Sequence, residues 1–222
     1  VDLPGVQSAS SFLHSGEKIS PDEYAKCLYT INAHQSAITC VRFSPDGRYL
    51  ATVGTDLLVH IFTLDGLPAC RLFGLHSSVI NCIQWSPCSQ YIAMGSDDGF
   101  LSIWSVSEQL PISLLKGHTS SILSLSFSPR GTILASAGHD NTIIIYDFQT
   151  GSILRQFDAH IDTIFDVVFS SDGTVLASSS NDGTIHYWDI SSGFCLATIQ
   201  QSETRISYGK IQMLPHTASY CL

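Results

Sequence analysis

Apolar residues occur along most of the chain in short runs, and each run is followed by a cluster of turn-forming residues. Runs such as ITCVRF, YLATVG and LVHIFTL are rich in Val, Ile, Leu and aromatic residues, which favour β-strands. The intervening segments SPDG, SSDG and NDG favour tight turns. The pattern therefore predicts an all-β fold of short strands joined by turns.

These strands recur with a constant period of 42 residues, and no copy contains an insertion. A histidine, an aspartate and an aromatic residue each recur at this spacing. The three series are His34, His76, His118 and His160; Asp56, Asp98, Asp140 and Asp182; and Phe62, Trp104, Tyr146 and Trp188. A fixed period of this length is typical of repeat architectures, and it predicts four complete copies with about four strands each.

The first strand of each copy is apolar at nearly every position and does not alternate between apolar and polar residues. A strand with this pattern is covered on both of its faces. A two-sheet sandwich would leave one face of each sheet exposed, whereas blades packed face to face around an axis cover both. We therefore expect radial repetition of four-stranded sheets.

Four short motifs make the chain similar to the WD-repeat (WD40) β-propeller family. They are GH at 117–118, SPDG at 44–47, LAS at 134–136 and WD at 188–189. The resemblance covers about residues 25–200 and implies a WD40 β-propeller with four complete blades plus a partial one. Three copies depart from the WD pair and three from the GH pair. We expect these departures to weaken individual hydrogen bonds and to leave the fold unchanged.

The resemblance also implies a role for the periodic polar residues. In the family, the histidine, a Ser or Thr of the second strand, the turn aspartate and the tryptophan form a hydrogen-bonded chain within a blade. In the fourth copy this chain would join His160, Ser178, Asp182 and Trp188. The expected structural network in the other copies comprises His34, Thr52, Asp56, His76, Asp98, Trp104, His118, Ser136, Asp140 and Tyr146.

These other copies are less complete at the matching positions. The side chain of Phe62 has no N–H group, Met94 stands where the hydroxyl is due, and the hydroxyl of Tyr146 lies farther out than an indole nitrogen. We expect the fourth copy to hold the fullest network and the second copy the most broken one. In that second copy, His76 and Asp98 would lack the middle link.

The amino-acid composition disfavours some kinds of binding partner and some cellular compartments. Acidic residues outnumber basic ones 19 to 10, so no broad basic surface is available for phosphate backbones, and direct nucleic-acid binding is disfavoured. The apolar runs are too short to span a membrane. The seven cysteines form no CxxC pair, and the first residues lack the features of a signal peptide. We expect a soluble intracellular protein, with the nucleus favoured and the cytoplasm as the alternative.

The same residues argue against metal binding and catalysis. Four histidines on four different blades lie too far apart to share one metal ion. The Asp97-Asp98-Gly99 segment lacks the spaced ligands and closing glutamate of a calcium loop. No nucleophile elbow, P-loop or dinucleotide fingerprint is present. We expect no enzyme activity, no cofactor, no metal and no small-molecule substrate.

Function is then expected in the loops that the strands hold in place. In propellers of this family, partners contact one face, around the central channel. The matching positions are the third and fifth residues after each histidine and the residue before each aspartate. The resulting candidate rim is Ala37, Thr39, Thr55, Val79, Asn81, Asp97, Ser121, Leu123, His139, Thr163, Phe165 and Asn181.

Two rim residues, Leu123 and Phe165, are the candidate interface anchors, because an exposed apolar side chain on a polar rim is typical of an anchor. Simple packing into strand contacts is the alternative. His139 and His186 do not recur at the period, and we interpret both as solvated surface residues.

These observations predict a non-catalytic scaffold that mediates protein–protein interactions within a multisubunit complex. Copies two to four are also similar to the last blades of the WD-repeat subunit 5 of the transcription factor TFIID, through HIDT at 160–163 and FSSDG at 169–173. That similarity implies a transcription-related role. A reader of short peptide motifs at the channel mouth and a cytoplasmic adaptor in signalling or cytoskeletal assembly are the alternatives.

The period fails at both ends of the chain. Residues 1–24 are interpreted as an irregular extension or linker, 25–200 as the four repeats, and 201–222 as the partial, degenerate start of a fifth blade. WD-repeat propellers have roughly seven blades, so we expect the chain to be a fragment of such a ring. Closure by another chain is the alternative.

Overall fold

The computed structural model describes residue 27 and residues 30–200, which form sixteen β-strands. In chain order these are β1 (Ile38–Phe43), β2 (Tyr49–Gly54), β3 (Val59–Thr63), β4 (Pro68–Leu72), β5 (Ile80–Trp85), β6 (Tyr91–Ser96), β7 (Phe100–Ser105), β8 (Leu110–Lys116), β9 (Ile122–Phe127), β10 (Ile133–Gly138), β11 (Thr142–Asp147), β12 (Ile153–Asp158), β13 (Ile164–Phe169), β14 (Val175–Ser180), β15 (Thr184–Asp189) and β16 (Cys195–Gln200).

Each copy of the 42-residue repeat folds into one antiparallel sheet of four strands, paired in chain order. We number these sheets as blades: blade 1 is β1–β4, blade 2 is β5–β8, blade 3 is β9–β12 and blade 4 is β13–β16. The predicted all-β fold with four complete four-stranded blades is confirmed. The predicted extension at 1–24 and the predicted partial blade at 201–222 lie outside the described residues.

The turn between the second and third strands has the same backbone shape in every blade. One residue of each turn has a positive φ, and these residues are Leu57, Gly99, Asn141 and Gly183. Glycine adopts this conformation readily and asparagine tolerates it, whereas leucine does so at a steric cost. The NDG segment of blade 4 is thus a turn whose glycine permits the tight reversal.

The apolar core lies between the blades. Three clusters of buried residues are present in the described part of the chain, and each joins two consecutive blades. In the first, Val59 and Ile61 of blade 1 pack with Ile80, Ile83 and Trp85 of blade 2. Because each blade buries its faces against its neighbours, stability depends on the junctions, as in other repeat proteins.

The position of a strand within its blade sets its exposure. The first strands β5, β9 and β13 are largely buried and lie beside one another, whereas the fourth strands are mostly exposed. In blades 2 to 4 the first strand is therefore on the buried side, as expected, and the fourth strand is at the solvated edge. The expectation fails for β1, which is mostly exposed because no described blade covers it. The strands lie within a compact unit of residues 32–222.

A second, separate unit covers residues 1–31, of which the structure describes Cys27, Thr30 and Ile31. In the part of the chain that is described, no helix has both the length and the apolar character needed to cross a membrane.

Candidate functional site

A histidine–aspartate pair lies at the same place in all four blades. The Nδ1 atom of the periodic histidine contacts the carboxylate of the turn aspartate. The distances are 2.9 Å for His34–Asp56, 3.1 Å for His76–Asp98, 2.8 Å for His118–Asp140 and 2.9 Å for His160–Asp182. The four imidazole side chains are buried. Each pair fixes the loop before the first strand to the turn between the second and third strands.

The aspartates also hold the turn amides, as blade 3 illustrates. Asp140 accepts hydrogen bonds from the backbone N–H of Thr119 and from the N–H and hydroxyl of Thr142. Burial alone would raise the pKa of Asp140, but hydrogen bonds from His118, Thr119 and Thr142 outweigh it and lower the pKa to about 2. The carboxylate is therefore ionised, with its lone pairs engaged inside the blade.

The second link of the network joins Nε2 of each histidine to a hydroxyl group. Second-strand residues supply it in three blades, through Thr52 at 2.9 Å, Ser136 at 2.6 Å and Ser178 at 2.8 Å.

In blade 2 the expectation that His76 lacks this link is wrong. Ser102 on β7 lies 2.8 Å from Nε2 of His76. It stands directly opposite Met94 in the β6–β7 register, so its hydroxyl reaches the same imidazole from the neighbouring strand. The third-strand residues of the other blades at this position are His60, Ile144 and His186.

The aromatic end of the network differs between blades. In blade 4, Nε1 of Trp188 donates to the hydroxyl of Ser178 at 2.9 Å, so all four side chains are connected. In blade 2, the buried Nε1 of Trp104 has no hydrogen-bond partner. In blade 3, the hydroxyl of Tyr146 is buried beside Ser136 without a hydrogen bond of standard geometry, and burial raises its pKa to about 12.

The two copy-specific histidines have different environments. His139 is exposed, and its Nδ1 atom lies 3.0 Å from Oγ1 of Thr163. The interpretation of His186 as a solvated residue is wrong, because its half-buried ring stacks on that of His160 with centroids 4.2 Å apart. His60 occupies the matching place in blade 1 and meets His34 edge-on at 4.7 Å.

The candidate rim residues come together in pairs within each blade. The backbone N–H of the residue before the aspartate donates to the carbonyl oxygen of the third residue after the histidine. This bond is 2.9 Å long in each of the pairs Thr55–Ala37, Asp97–Val79, His139–Ser121 and Asn181–Thr163. Eight of the twelve predicted positions therefore lie in pairs at the same edge of successive blades.

The other four rim positions are β-bulges in the first strands. The register between the first and second strands skips Thr39, Asn81, Leu123 and Phe165. A bulge redirects a side chain away from the regular alternation of the strand. The Thr39 hydroxyl donates to the carbonyl of Ile80 at 2.7 Å, and the Asn81 amide donates to that of Ile122 at 3.1 Å. These two residues therefore join consecutive blades, a role that the sequence alone did not indicate.

Both candidate anchors, Leu123 and Phe165, are half-buried. Neither is the fully exposed apolar group that the interpretation as an anchor assumed. The exposed rim side chains are polar or small: Ala37, Thr39, Thr55, Asp97 and His139.

Sequence reasoning missed a polar link between blades 3 and 4. The hydroxyl of Ser124 donates to Asp166 at 2.6 Å and accepts from the backbone N–H of Val167. The backbone N–H of Phe169 donates in the same way to Ser126. A detectable signal is that Ser124 stands where the first two copies carry Cys40 and Cys82.

A second surface feature, also missed, is a cleft of about 420 Å³ between blades 2 and 3. It lies at the edge opposite to the rim, and its lining includes Tyr91, Ile112 and Phe148. The ring of Phe148 packs on Tyr91 and Phe127 with centroid distances of 5.4 and 5.2 Å. Among the residues that the structure describes, no group of three or more His, Cys, Asp or Glu side chains is placed to hold a metal ion.

Comparison with known proteins places these blades in context. The WD40 family, described as WD domain, G-beta repeat, matches residues 25–63, 69–105, 109–147 and 151–189. Protein HIR1 of Yarrowia lipolytica (strain CLIB 122 / E 150) is 44% identical over 52 residues, which are 23% of this chain and 5% of that protein. Protein HIR1 of Kluyveromyces lactis is 40% identical over 53 residues, 24% of this chain and 6% of that protein. The chain spans a small part of the length of both relatives.

Proposed function

The chain belongs to the WD40 repeat family, whose domains generally act as non-catalytic protein-interaction scaffolds, and we propose that it holds partner proteins within a multisubunit complex. In this proposal the blades are the rigid support and the rim is the contact surface. The partners are proteins or peptides, and neither nucleic acid, membrane nor a small-molecule substrate is bound directly.

The observation that carries the proposal is the arrangement of the rim. Backbone hydrogen bonds of 2.9 Å join the two rim loops in every blade, and the bulged Thr39 and Asn81 tie consecutive blades together at the same edge. Side-chain bonds add to this, such as Asn81 to Asp97 at 2.7 Å and Asn181 to Asp162 at 2.7 Å. A surface held in this way loses little conformational freedom on binding, which favours affinity.

The polar network supports the non-catalytic part of the proposal. The histidines, aspartates and hydroxyl groups that recur in each blade bond to one another in the interior. Their hydrogen-bonding capacity is used in shaping the loops, which fits a structural role better than a chemical one.

The rim is polar and the chain has a net charge of −9, so electrostatic complementarity favours partners whose contact surface is basic. The location within the cell and a transcription-related role are further parts of the proposal. They rest on the resemblance to the TFIID subunit that was inferred from the segments HIDT at 160–163 and FSSDG at 169–173, and the nucleus is the favoured compartment. The matched relatives are both proteins named HIR1 and leave this role a prediction.

The proposal is tested by capture of partners with matched surface variants of the full chain. The rim variant carries Thr55→Lys, Asp97→Lys and His139→Lys, three exposed positions. The control variant carries Gln90→Lys, Glu108→Lys and Gln149→Lys, which add the same charge at exposed residues of the strand-connecting turns at the opposite edge. Unchanged melting temperatures for both variants establish that the blades are intact.

We expect quantitative mass spectrometry to recover a set of proteins with the wild-type chain and the control variant that the rim variant loses. Those proteins should then bind the purified chain directly, as measured by calorimetry. Recovery of the same proteins at the same level with all three forms would contradict the rim as the contact surface. Failure of every recovered protein to bind directly would contradict the scaffold function itself.

A further inference from the structure

An arginine joins blades 3 and 4 at the edge opposite to the rim. Arg155 lies on β12, the fourth strand of blade 3, and its side chain reaches the turn at 189–193 in blade 4. Its Nη2 atom donates to the carbonyl oxygen of Ser191 at 2.6 Å, and its Nη1 atom donates to that of Ser192 at 3.3 Å. This junction therefore shows how a guanidinium group is held between two consecutive blades.

The junction between blades 2 and 3 lacks this arginine. Ser113 stands one period before Arg155, and its side chain ends at the hydroxyl group, whereas a guanidinium group stands at the end of three methylene groups. The cleft of about 420 Å³ lies at this junction. Its lining includes Phe148 and Gln149, which belong to the facing turn at 147–151. The cleft thus occurs where the chain has a serine in place of the bridging arginine.

The turn that faces the cleft has the same backbone geometry as the turn that holds Arg155. In each turn the first residue is an aspartate, and its N–H donates to the carbonyl oxygen five positions on at 2.9 Å. The N–H of the fifth residue, Gly151 or Gly193, donates back to the aspartate at 2.9 or 2.8 Å, and its φ is +69° or +81°. The carbonyl oxygens of Gln149 and Thr150 are therefore arranged like the two acceptors of Arg155.

The glycine of the turn makes room for the guanidinium group. A Cβ atom at Gly193 would lie 2.7 Å from Nη1 of Arg155, closer than a Cβ atom approaches its neighbours in proteins. Blade 1 carries Arg71 at the position of Arg155, but the turn of blade 2 has Gln109 in place of the glycine. Within the described part of the chain, no hydrogen bond joins Arg71 to that turn. The turn of blade 3 has glycine at position 151 and can accept a guanidinium group.

The lining of the cleft combines an apolar wall with a negative charge. The ring centroids of Tyr91 and Phe148 are 5.4 Å apart, and Ile112 is 51% exposed. Hydrogen bonds from the N–H and hydroxyl of Thr150 lower the pKa of Asp147, so this carboxyl group is ionised at neutral pH. An arginine can pack its methylene stem and its planar guanidinium group on such rings while its charge is attracted by the carboxylate.

We propose that this cleft is a second contact surface, which binds an arginine side chain of a partner protein. The guanidinium group donates to the carbonyl oxygens of Gln149 and Thr150, as Arg155 does in blade 4. Its rigid fork of donors suits two neighbouring acceptors better than the single ammonium group of lysine does. The exposed Arg130 is next in sequence to a lining residue and opposes the binding of a cation, but the net charge of −9 favours a basic partner.

Short peptides test this proposal on the purified full chain. The probes are acetyl-Gly-Arg-Gly-amide and two matched peptides in which lysine or citrulline replaces the arginine. Citrulline keeps the shape of arginine without its charge, and lysine keeps the charge without the fork. Titrations are followed through the methyl NMR signals of the isoleucines, among them Ile112. We expect saturable binding of the arginine peptide that is at least about tenfold tighter than that of either control. Equal binding of the three peptides, or no binding of the arginine peptide, would overturn the proposal.

Ser113→Arg fills the cleft from within the chain. The new side chain takes the position of Arg155 opposite a turn that has the required glycine. We therefore expect a melting temperature at least as high as that of the wild type, together with loss of peptide binding. The matched control is Ala197→Arg, which places the same side chain at the equivalent exposed position of β16 and should leave peptide binding unchanged. Full peptide binding in Ser113→Arg would overturn the assignment of the cleft.

The two surface variants of the partner-capture experiment separate the cleft from the rim. The variant at the opposite edge includes Gln149→Lys, which adds a positive charge to the cleft lining, whereas the rim variant leaves the cleft unaltered. We expect the arginine peptide to bind the rim variant as tightly as the wild type and the opposite-edge variant at least about tenfold more weakly. Loss of peptide binding in the rim variant alone would overturn the cleft as the arginine site and would leave the scaffold function uncontradicted.

Discussion

The hydroxyl oxygen of Ser102, on the third strand of blade 2, lies 2.8 Å from Nε2 of His76. In the other three blades the second strand supplies this hydroxyl. Met94 fills the second-strand position in blade 2, and Ser102 is its cross-strand partner. The imidazole is therefore bonded at both nitrogens in every blade, by two different routes.

Replacing Ser102 with Ala should destabilise the chain. The change leaves Nε2 of the buried His76 without its partner, which is expected to lower the free energy of unfolding by about 1–3 kcal/mol. Urea denaturation followed by tryptophan fluorescence measures the loss. Ser113→Ala, at a half-buried serine of β8 outside the network, should change stability by less than about 0.5 kcal/mol. Losses of similar size in the two variants would contradict the bond.

Trp188→Phe should destabilise the chain more than Trp104→Phe. Both changes remove the same volume from a buried site, but only the indole of Trp188 donates a hydrogen bond, to Ser178 at 2.9 Å. Nε1 of Trp104 has no hydrogen-bond partner, so its removal eliminates no hydrogen bond. We expect the two losses to differ by about 1 kcal/mol in urea denaturation. A larger loss at Trp104 would show that packing outweighs the indole bond.

Asp182→Ala should lower the melting midpoint more than Asp98→Ala. Both carboxylates bond to a histidine and to turn amides, but Asp182 also accepts the Thr184 hydroxyl at 2.6 Å, whereas Phe100 stands at that place in blade 2. The additional bond is expected to contribute about 1 kcal/mol. Calorimetry of both variants in a Thr184→Val background checks the cause, since the difference should then disappear. Equal decreases of the melting midpoint in the unmodified background would contradict this prediction.

Stability should fall as the pH drops below about 6.5, and His186 should be part of the reason. Burial lowers the pKa of His186 and of His160, with Asp182 opposing it in both cases. Both histidines thus bind protons more weakly in the folded state than in the unfolded one. The stabilising effect is complete above the unfolded pKa and decreases as the pH falls below it.

The variant that tests this pH dependence is His186→Ile, because blade 3 carries Ile144 at the matching position. We expect the midpoint of thermal unfolding to decline less steeply between about pH 7 and pH 5 in this variant than in the wild type. Parallel declines would assign the acid sensitivity to other groups.

Leu57→Gly should stabilise the chain despite the loss of a side chain. Leu57 has a φ of +64°, and the matching positions in blades 2 and 4 are glycines. Relief of the steric strain of leucine in this conformation is expected to raise the free energy of unfolding by about 1 kcal/mol. The reciprocal variant, Gly183→Leu, should lower it by a similar amount. A loss of stability in Leu57→Gly, measured by urea denaturation, would show that the packing of Leu57 matters more than its backbone.

Many features of the fold could be predicted because they depend on the types and spacing of residues that are near one another in the sequence. The 42-residue period, the strands and the turns follow from apolar runs and turn residues that recur in sequence. The pairing of each histidine with its aspartate was implied by the resemblance to a known family. Strand register is constrained by the alternation of side chains and by turn length, so these pairs depend only on the structure within one blade.

The tertiary structure decided the contacts that depend on which side chain fills a shared space. Met94 occupies the volume of a hydroxyl residue in blade 2, and Ser102 reaches the imidazole from the next strand, which no alignment of the copies displays. Thr39 and Asn81 bond to the following blade because a bulge turns them out of the regular register. The exposure of Phe43 and the burial of Phe127 and Phe169 likewise depend on what lies beside each blade. A repeating sequence specifies equivalent residues, whereas burial is a property of the neighbour that covers them.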